Sequence, residues 1–193
     1  MKYRKWLSGA AGMLLVMGVA PARSGEVLVC AFNNEKDVTV VVEGGASAGV
    51  GFDEEITYNQ KPALGLMGDW TIVWDSVIFE LKPVELAGEP DTVYLAFKGD
   101  TNLVGKIQVT IKDSKGETLQ ATVSKSLNNA GWQEMKAPLP GPEAVWEGGD
   151  NNRRLNPPCT LTSLIIYARQ PAKATVFFAD LKVKLRESKP PAK

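Results

Sequence analysis

The chain has 193 residues, 22 basic and 22 acidic, with no histidine and two cysteines. Its charges are interspersed without a basic stripe, which argues against nucleic acid as a partner. The lack of histidine removes Ser-His and Cys-His nucleophile pairs, His-based zinc sites and the commonest general base.

In chain order, Lys2, Arg4 and Lys5 precede an apolar stretch from Trp6 to Ala20, short and glycine-interrupted for a membrane span, followed by Ala20-Pro21-Ala22. Residues 1–22 therefore read as a signal peptide, cut after Ala22 or Ser24, with an uncleaved anchor as the alternative. The bulky Val29 before Cys30 and the charge of Glu26 argue against lipidation there. Removing the leader leaves 19 basic against 22 acidic residues, and the expected location is secreted or periplasmic, without membrane insertion. Residues 23–186 form one domain with enough chain for a sizeable core. The polar, proline-bearing tail 187–193 is expected to be disordered.

Within the domain, strands are predicted at 27–32, 38–43, 63–67 and 71–81. Glycine-rich "EGGASAGVGF" (43–52) reads as a flexible turn and "GFDEEITYNQKP" (51–62) as a polar loop. Its residues Asp53, Glu54, Glu55, Tyr58, Asn59 and Gln60 are either solvated or placed to meet hydroxyl groups at one end of a sandwich. "TVYLAFKGD" alternates with Val93, Leu95 and Phe97 on one face, and "KIQVTIKD" with Ile107, Val109 and Ile111. "DSKG" (113–116) then turns the chain into a partner carrying Leu119, Ala121 and Val123, which makes a hairpin. Strands follow at 132–137 and 161–168. In "ATVFFADLKVKL", Phe177, Ala179, Leu181, Val183 and Leu185 share a face opposite Asp180, Lys182 and Lys184. About ten short strands without helical periodicity define an all-β antiparallel sandwich with jelly-roll or Greek-key connections.

"WEGGDNNRRLNPP" (146–158) is no phosphate cradle, since Asn156-Pro157-Pro158 forces extended backbone where a cradle feeds a helix. Its oxygens fall at consecutive positions and two arginines follow, which argues against a metal loop. What remains is a rigid turn built on glycines and Asx hydrogen bonds, or a sugar rim in which Trp146 stands beside Asp150, Asn151, Asn152 and Arg153. A pyranose offers a face of C–H bonds to an indole, while its hydroxyls need polar partners. Trp74 and Trp132 are expected in the core, and Trp70 is open between core and platform. Cys30 and Cys159 either form a disulfide, worth roughly 4 to 5 kcal/mol in the chain-entropy model, or stand as two buried thiols.

The opening "VLVCAFNNEKD", the central "DTVYLAFKGD", "GWQEMKAPL", the "WEGGDNN…PP" loop and the closing "ATVFFADLKVKL" together resemble the galactose-binding-like jelly rolls found as non-catalytic carbohydrate-binding modules of secreted glycoside hydrolases. The resemblance runs through nearly all of the domain. It implies binding of a polysaccharide or glycan, with Trp70, Trp146, Asp150, Asn151, Asn152, Arg153, Tyr58 and Asn59 as contact residues. It also implies a structural calcium where the opening segment meets the last strand, held by Asp180 with Glu35 or Asp37. The usual second acid beside Asp180 is Ala179 here, and the alternative is a solvated Asp180 paired with lysine.

The expected function is thus a secreted, non-catalytic carbohydrate-binding module, acting alone or beside a separate enzyme or envelope protein. A protein-interaction or envelope-assembly domain is the alternative, and predicts an exposed apolar patch or an unprotected edge strand. A glycoside hydrolase is third: Asp75 and Glu80, five apart on one predicted strand, do not share the face that paired carboxylates need.

Overall fold

Period-two alternation, interrupted by glycine, proline and Asx turns, gives twelve strands among the described residues. The structure, a computed structural model, describes residues 25–99 and 105–186. The signal peptide and the disordered tail expected from the sequence lie outside the described residues. The strands are β1 (Glu26–Cys30), β2 (Val38–Glu43), β3 (Ser47–Tyr58), β4 (Lys61–Trp70), β5 (Ser76–Leu86), β6 (Pro90–Gly99), β7 (Gly105–Lys112), β8 (Glu117–Ser124), β9 (Gln133–Pro138), β10 (Val145–Gly148), β11 (Cys159–Ala168) and β12 (Ala172–Leu185). A single 3-10 turn, Glu35–Asp37, is the helical element among them.

Two antiparallel sheets stack as a jelly-roll sandwich. The first runs β3-β4-β12-β6-β9, with β1 taking over from β4 along the second half of β12; the second runs β10-β8-β7-β11-β5-β2. Between them lie Phe32, Phe79 and Phe178, ring centroids 5.5 to 6.1 Å apart, each fully buried. Burial of each such ring is worth roughly 1.5–3 kcal/mol, so this trio is a principal tie between the sheets.

The last strand departs from simple alternation. Ala179 pairs with Ala96 and Leu181 with Leu95, so Asp180 is an extra residue, held at φ +39°. This bulge shifts the pattern by one. Ala174, Val176 and Phe178 face the core before it, and Leu181, Val183 and Leu185 after it. Phe177 and Ala179, expected to face inward, therefore belong to the outer face.

Of the glycine-rich and acidic stretches expected to be turn and loop, residues 44–46 do form a turn, whereas 47–58 are corrected to one strand, β3. Its alternation is hidden because outward positions are the glycines 49 and 51 and because residues 53–56 bulge between the pairs Phe52–Leu64 and Thr57–Pro62. Asn59 and Gln60, both at positive φ, turn it into β4.

The strand expected over 71–81 starts only at Ser76. Residues 71–75 form a turn closed by the Asp75 carboxylate, which accepts from the amides of Gly45 (2.9 Å), Thr71 (3.0 Å) and Ile72 (3.0 Å). Asp75 is thus a buried structural acid outside any strand, and a β-carbon on Gly44 would collide with it.

Cys30 and Cys159 are free and buried, one in each sheet, which corrects the disulfide. Burial pushes the Cys30 thiol up to about 11 and the Cys159 thiol up to about 12, the latter helped by Asp113 and Glu89.

Candidate functional site

The outer face of the first sheet carries a broad concavity. Across four strands, Gly51, Gly65, Phe177 and Lys98 fall in one row of register. The two glycines keep one side of the row low, and the Phe177 ring lies down over Gly65, its Cε1 2.9 Å from where a β-carbon on that glycine would stand. Beside this row the buried alanines 63, 96 and 179 form a second low floor, against which Ile56, Tyr58, Trp132 and Phe177 pack with one face still open. The rings of Tyr58 and Trp132 meet at 4.9 Å between centroids, tilted by 51°.

Over Gly51, Gly65 and Phe177, beside that alanine floor, lies a cleft of about 1000 Å³, and the bulge of β3 brings Asp53, Glu54 and Glu55 to its rim opposite Lys98. Asp53 accepts the amide of Glu55 at 2.9 Å, which fixes the bulge. Burial first, and the Glu134 carboxylate next, raise the Tyr58 phenol above its ordinary pKa, so it remains a neutral donor and acceptor. Half-open aromatic faces, carboxylate acceptors and an ammonium donor around a low floor form a surface on which a flat polyhydroxylated ring can stack and satisfy its hydroxyls.

The sequence-predicted residues divide. Tyr58 belongs to this face, Asn59 stands exposed in the turn beside it, and the acidic residues 53–55 line the cleft. Trp70 is corrected to the core: it is 1% exposed and offers no face to a ligand. Trp74, expected in the core, is instead 57% exposed at the tip of the 71–75 turn, at φ +72°, with the Lys106 ammonium 5.6 Å over its ring. Trp132, also expected inside, is half-buried on the cleft face. Phe177 and Trp132 were the residues that alternation and composition did not assign to the site.

Trp146 lies on β10 at the far end of the sandwich, and its loop folds on itself. Asp150 accepts from the Asn152 amide and side chain (3.4 and 2.8 Å), and Asn152 from the Arg154 amide (2.7 Å). The buried Asp113 holds both the amide (3.1 Å) and the side chain (2.7 Å) of Asn156. The side chains of Asp150 and Asn152 are therefore spent on the turn, and that of Asn151 stands exposed next to them.

Two of the carboxylates expected to hold calcium stand beside lysines, and the third is exposed. Among the described residues no three acidic, cysteine or histidine groups approach as a metal site needs. Asp37 lies 3.4 Å from the Lys82 ammonium, Asp180 lies 3.5 Å from that of Lys182, and Glu35 stands exposed.

No protein-family model matches the chain, and no curated protein does. Solved structures share its fold. The family 11 carbohydrate-binding module of a cellulosomal cellulase of Clostridium thermocellum superposes with a TM-score of 0.63 at 11% identity, over 86% of this chain and 98% of that one. The same module in complex with a β-1,3-1,4-mixed-linked tetrasaccharide gives 0.61 at 11% identity, over 86% and 99%. The family 30 module of another cellulosomal cellulase of that organism gives 0.57 at 17% identity, over 84% and 99%. The chain therefore has the jelly-roll β-sandwich fold of carbohydrate-binding modules. No helix among the described residues is long and apolar enough to cross a membrane.

Proposed function

We propose that the chain is an exported carbohydrate-binding module that holds a glycan on the outer face of its first sheet, without turnover. The observation that carries this is Phe177 laid over Gly65 in a cleft rimmed by Asp53, Glu54, Glu55 and Lys98, with Tyr58 and Trp132 packed beside it on the alanine floor of the same face. Sugar rings stack on the open faces of Phe177 and Trp132. Their hydroxyls donate to the carboxylates and accept from Lys98, each bond contributing roughly 0.5–1.5 kcal/mol net. A mixed-linked β-glucan is the first ligand to try, because the similar family 11 module was solved with such a tetrasaccharide.

Affinity electrophoresis against mixed-linked β-glucan, xylan and mannan tests the reading. Retardation lost in Phe177→Ala supports it, and free migration in all three gels overturns it. Release of nitrophenol from aryl glycosides, abolished by changing one cleft carboxylate, would make the molecule a hydrolase instead.

A second reading, a protein-interaction domain, has its own observation. Ile72, Val73 and Trp74 form an exposed apolar tip, and β2, an edge strand with neither lysine nor proline, exposes Val41 and Val42. Self-association in sedimentation, reversed by Val41→Lys, would favour it.

A further inference from the structure

The motif that the cleft does not absorb is "RR" at 153–154. At the end of the sandwich away from the Phe177 half of β12, a separate cavity of about 410 Å³ is walled by Trp146, Pro140 and Pro90 and edged by Arg153, Arg154 and Arg186. That volume falls within the roughly 300–1000 Å³ of ordinary ligand pockets. Along β12 the two sites lie roughly 30 Å apart.

The three arginines are not equivalent. Arg186 is engaged, 2.6 Å from Glu89 and 3.6 Å from Asp91. The guanidinium groups of Arg153 and Arg154 have no side-chain partner among the described residues. Their backbone, by contrast, is fixed. Arg153 sits at φ +57°, its amide donating to the fully buried Glu117 carboxylate at 3.1 Å, and Arg154 is tied to Asn152 and, through Asn156, to Asp113. A non-glycine residue in the left-handed region is strained, and here a buried carboxylate enforces that conformation. The loop thus presents two unneutralised planar cations beside a partly open indole on a backbone already ordered before binding.

Planar forked donors match a carboxylate, and an indole with proline walls matches the C–H face of a ring. We propose that this cavity is a second binding site, for a sugar residue bearing a carboxylate, that is, a uronate within an acidic glycan. The carboxylate bridges Arg153 and Arg154 while the ring lies along Trp146.

The test is titration of the full domain with trigalacturonate, with its methyl ester, and with sodium acetate, followed by calorimetry and by the indole Nε1–H resonance of Trp146. The acid is expected to bind at least about tenfold more tightly than the ester, with acetate weaker still, and its affinity to fall as salt shortens the screening length. Arg153→Gln/Arg154→Gln, at two exposed positions, is expected to abolish that preference while leaving the melting temperature and any binding of neutral glucan in the cleft unchanged. Equal binding of acid and ester, equal binding of free acetate, or an undiminished preference in the double variant would overturn the proposal. Loss of neutral-glucan binding alone would count against the cleft and not against this site.

Discussion

The Phe177 ring rests on Gly65 of the neighbouring strand, and the contact exists only because that residue has no side chain. Gly65→Ala must displace the ring edge from 2.9 Å, and the cleft floor rises with it. The expected outcome is a severalfold loss of glucan affinity by calorimetry, with the melting temperature changed by only about a few degrees, since alanine costs little in a strand. Phe177→Ala should weaken binding about tenfold or more, the ~1.4 kcal/mol typical of an interface anchor.

Tyr58, packed beside the cleft, titrates above its ordinary range. Burial, then Glu134, raises its folded pKa above the unfolded value near 10, so its contribution to stability is complete below pH ~10 and is lost as pH rises through the folded value. Glucan binding should therefore be level between roughly pH 6 and 9. Alkaline melts should be less steep in Tyr58→Phe than in the parent. A binding curve that breaks near neutrality would contradict this role.

Asp75 works in the opposite sense. Burial alone would raise its pKa, but the amides of Gly45, Ile72 and Thr71 outweigh it and hold the carboxyl below the usual value. Stability tied to it is present above pH ~3.9 and is lost as pH falls further. Asp75→Asn should lower the melting temperature at neutral pH and flatten the acid limb of a melt series. The same substitution should loosen the Trp74 tip, seen as faster amide exchange over 71–75.

The thiols of Cys30 and Cys159 stay protonated far above neutrality. A thiol reagent should therefore modify neither in the native protein at pH 8 and both in denaturant. Reducing agent should leave the melting temperature unchanged, whereas a drop would show that the two sulfurs are bonded.

Legibility from sequence followed the regularity of each strand. The bounds of β2 were readable from its run of β-branched residues, and the hairpin of β7 with β8 from apolar residues that alternate with polar ones. In β12 the adjacent Phe177 and Phe178 are chemically identical, and only the bulge at Asp180 decides which one enters the core; alternation carries no trace of an inserted residue. β3 was unreadable for a related reason, since a strand whose outward positions are glycines resembles a turn. Trp74 and Trp132, both expected in the core, lie outside it, because ring chemistry is the same at a core and at a platform. What took them out of the core was the turn enforced by Asp75 in one case and the alanine floor of the outer face in the other.

The position of β12 has a consequence for how the molecule comes into being. It is the last of the twelve strands to be synthesised, yet it lies between β4 and β6 and also carries β1. Until it emerges, those three have no common neighbour, and the first sheet cannot close. A nascent chain ending before Ala172 would leave the first sheet without its central strand, so collapse to the finished sandwich must await the synthesis of β12. Such late closure leaves the sandwich open for most of the elongation of its strands.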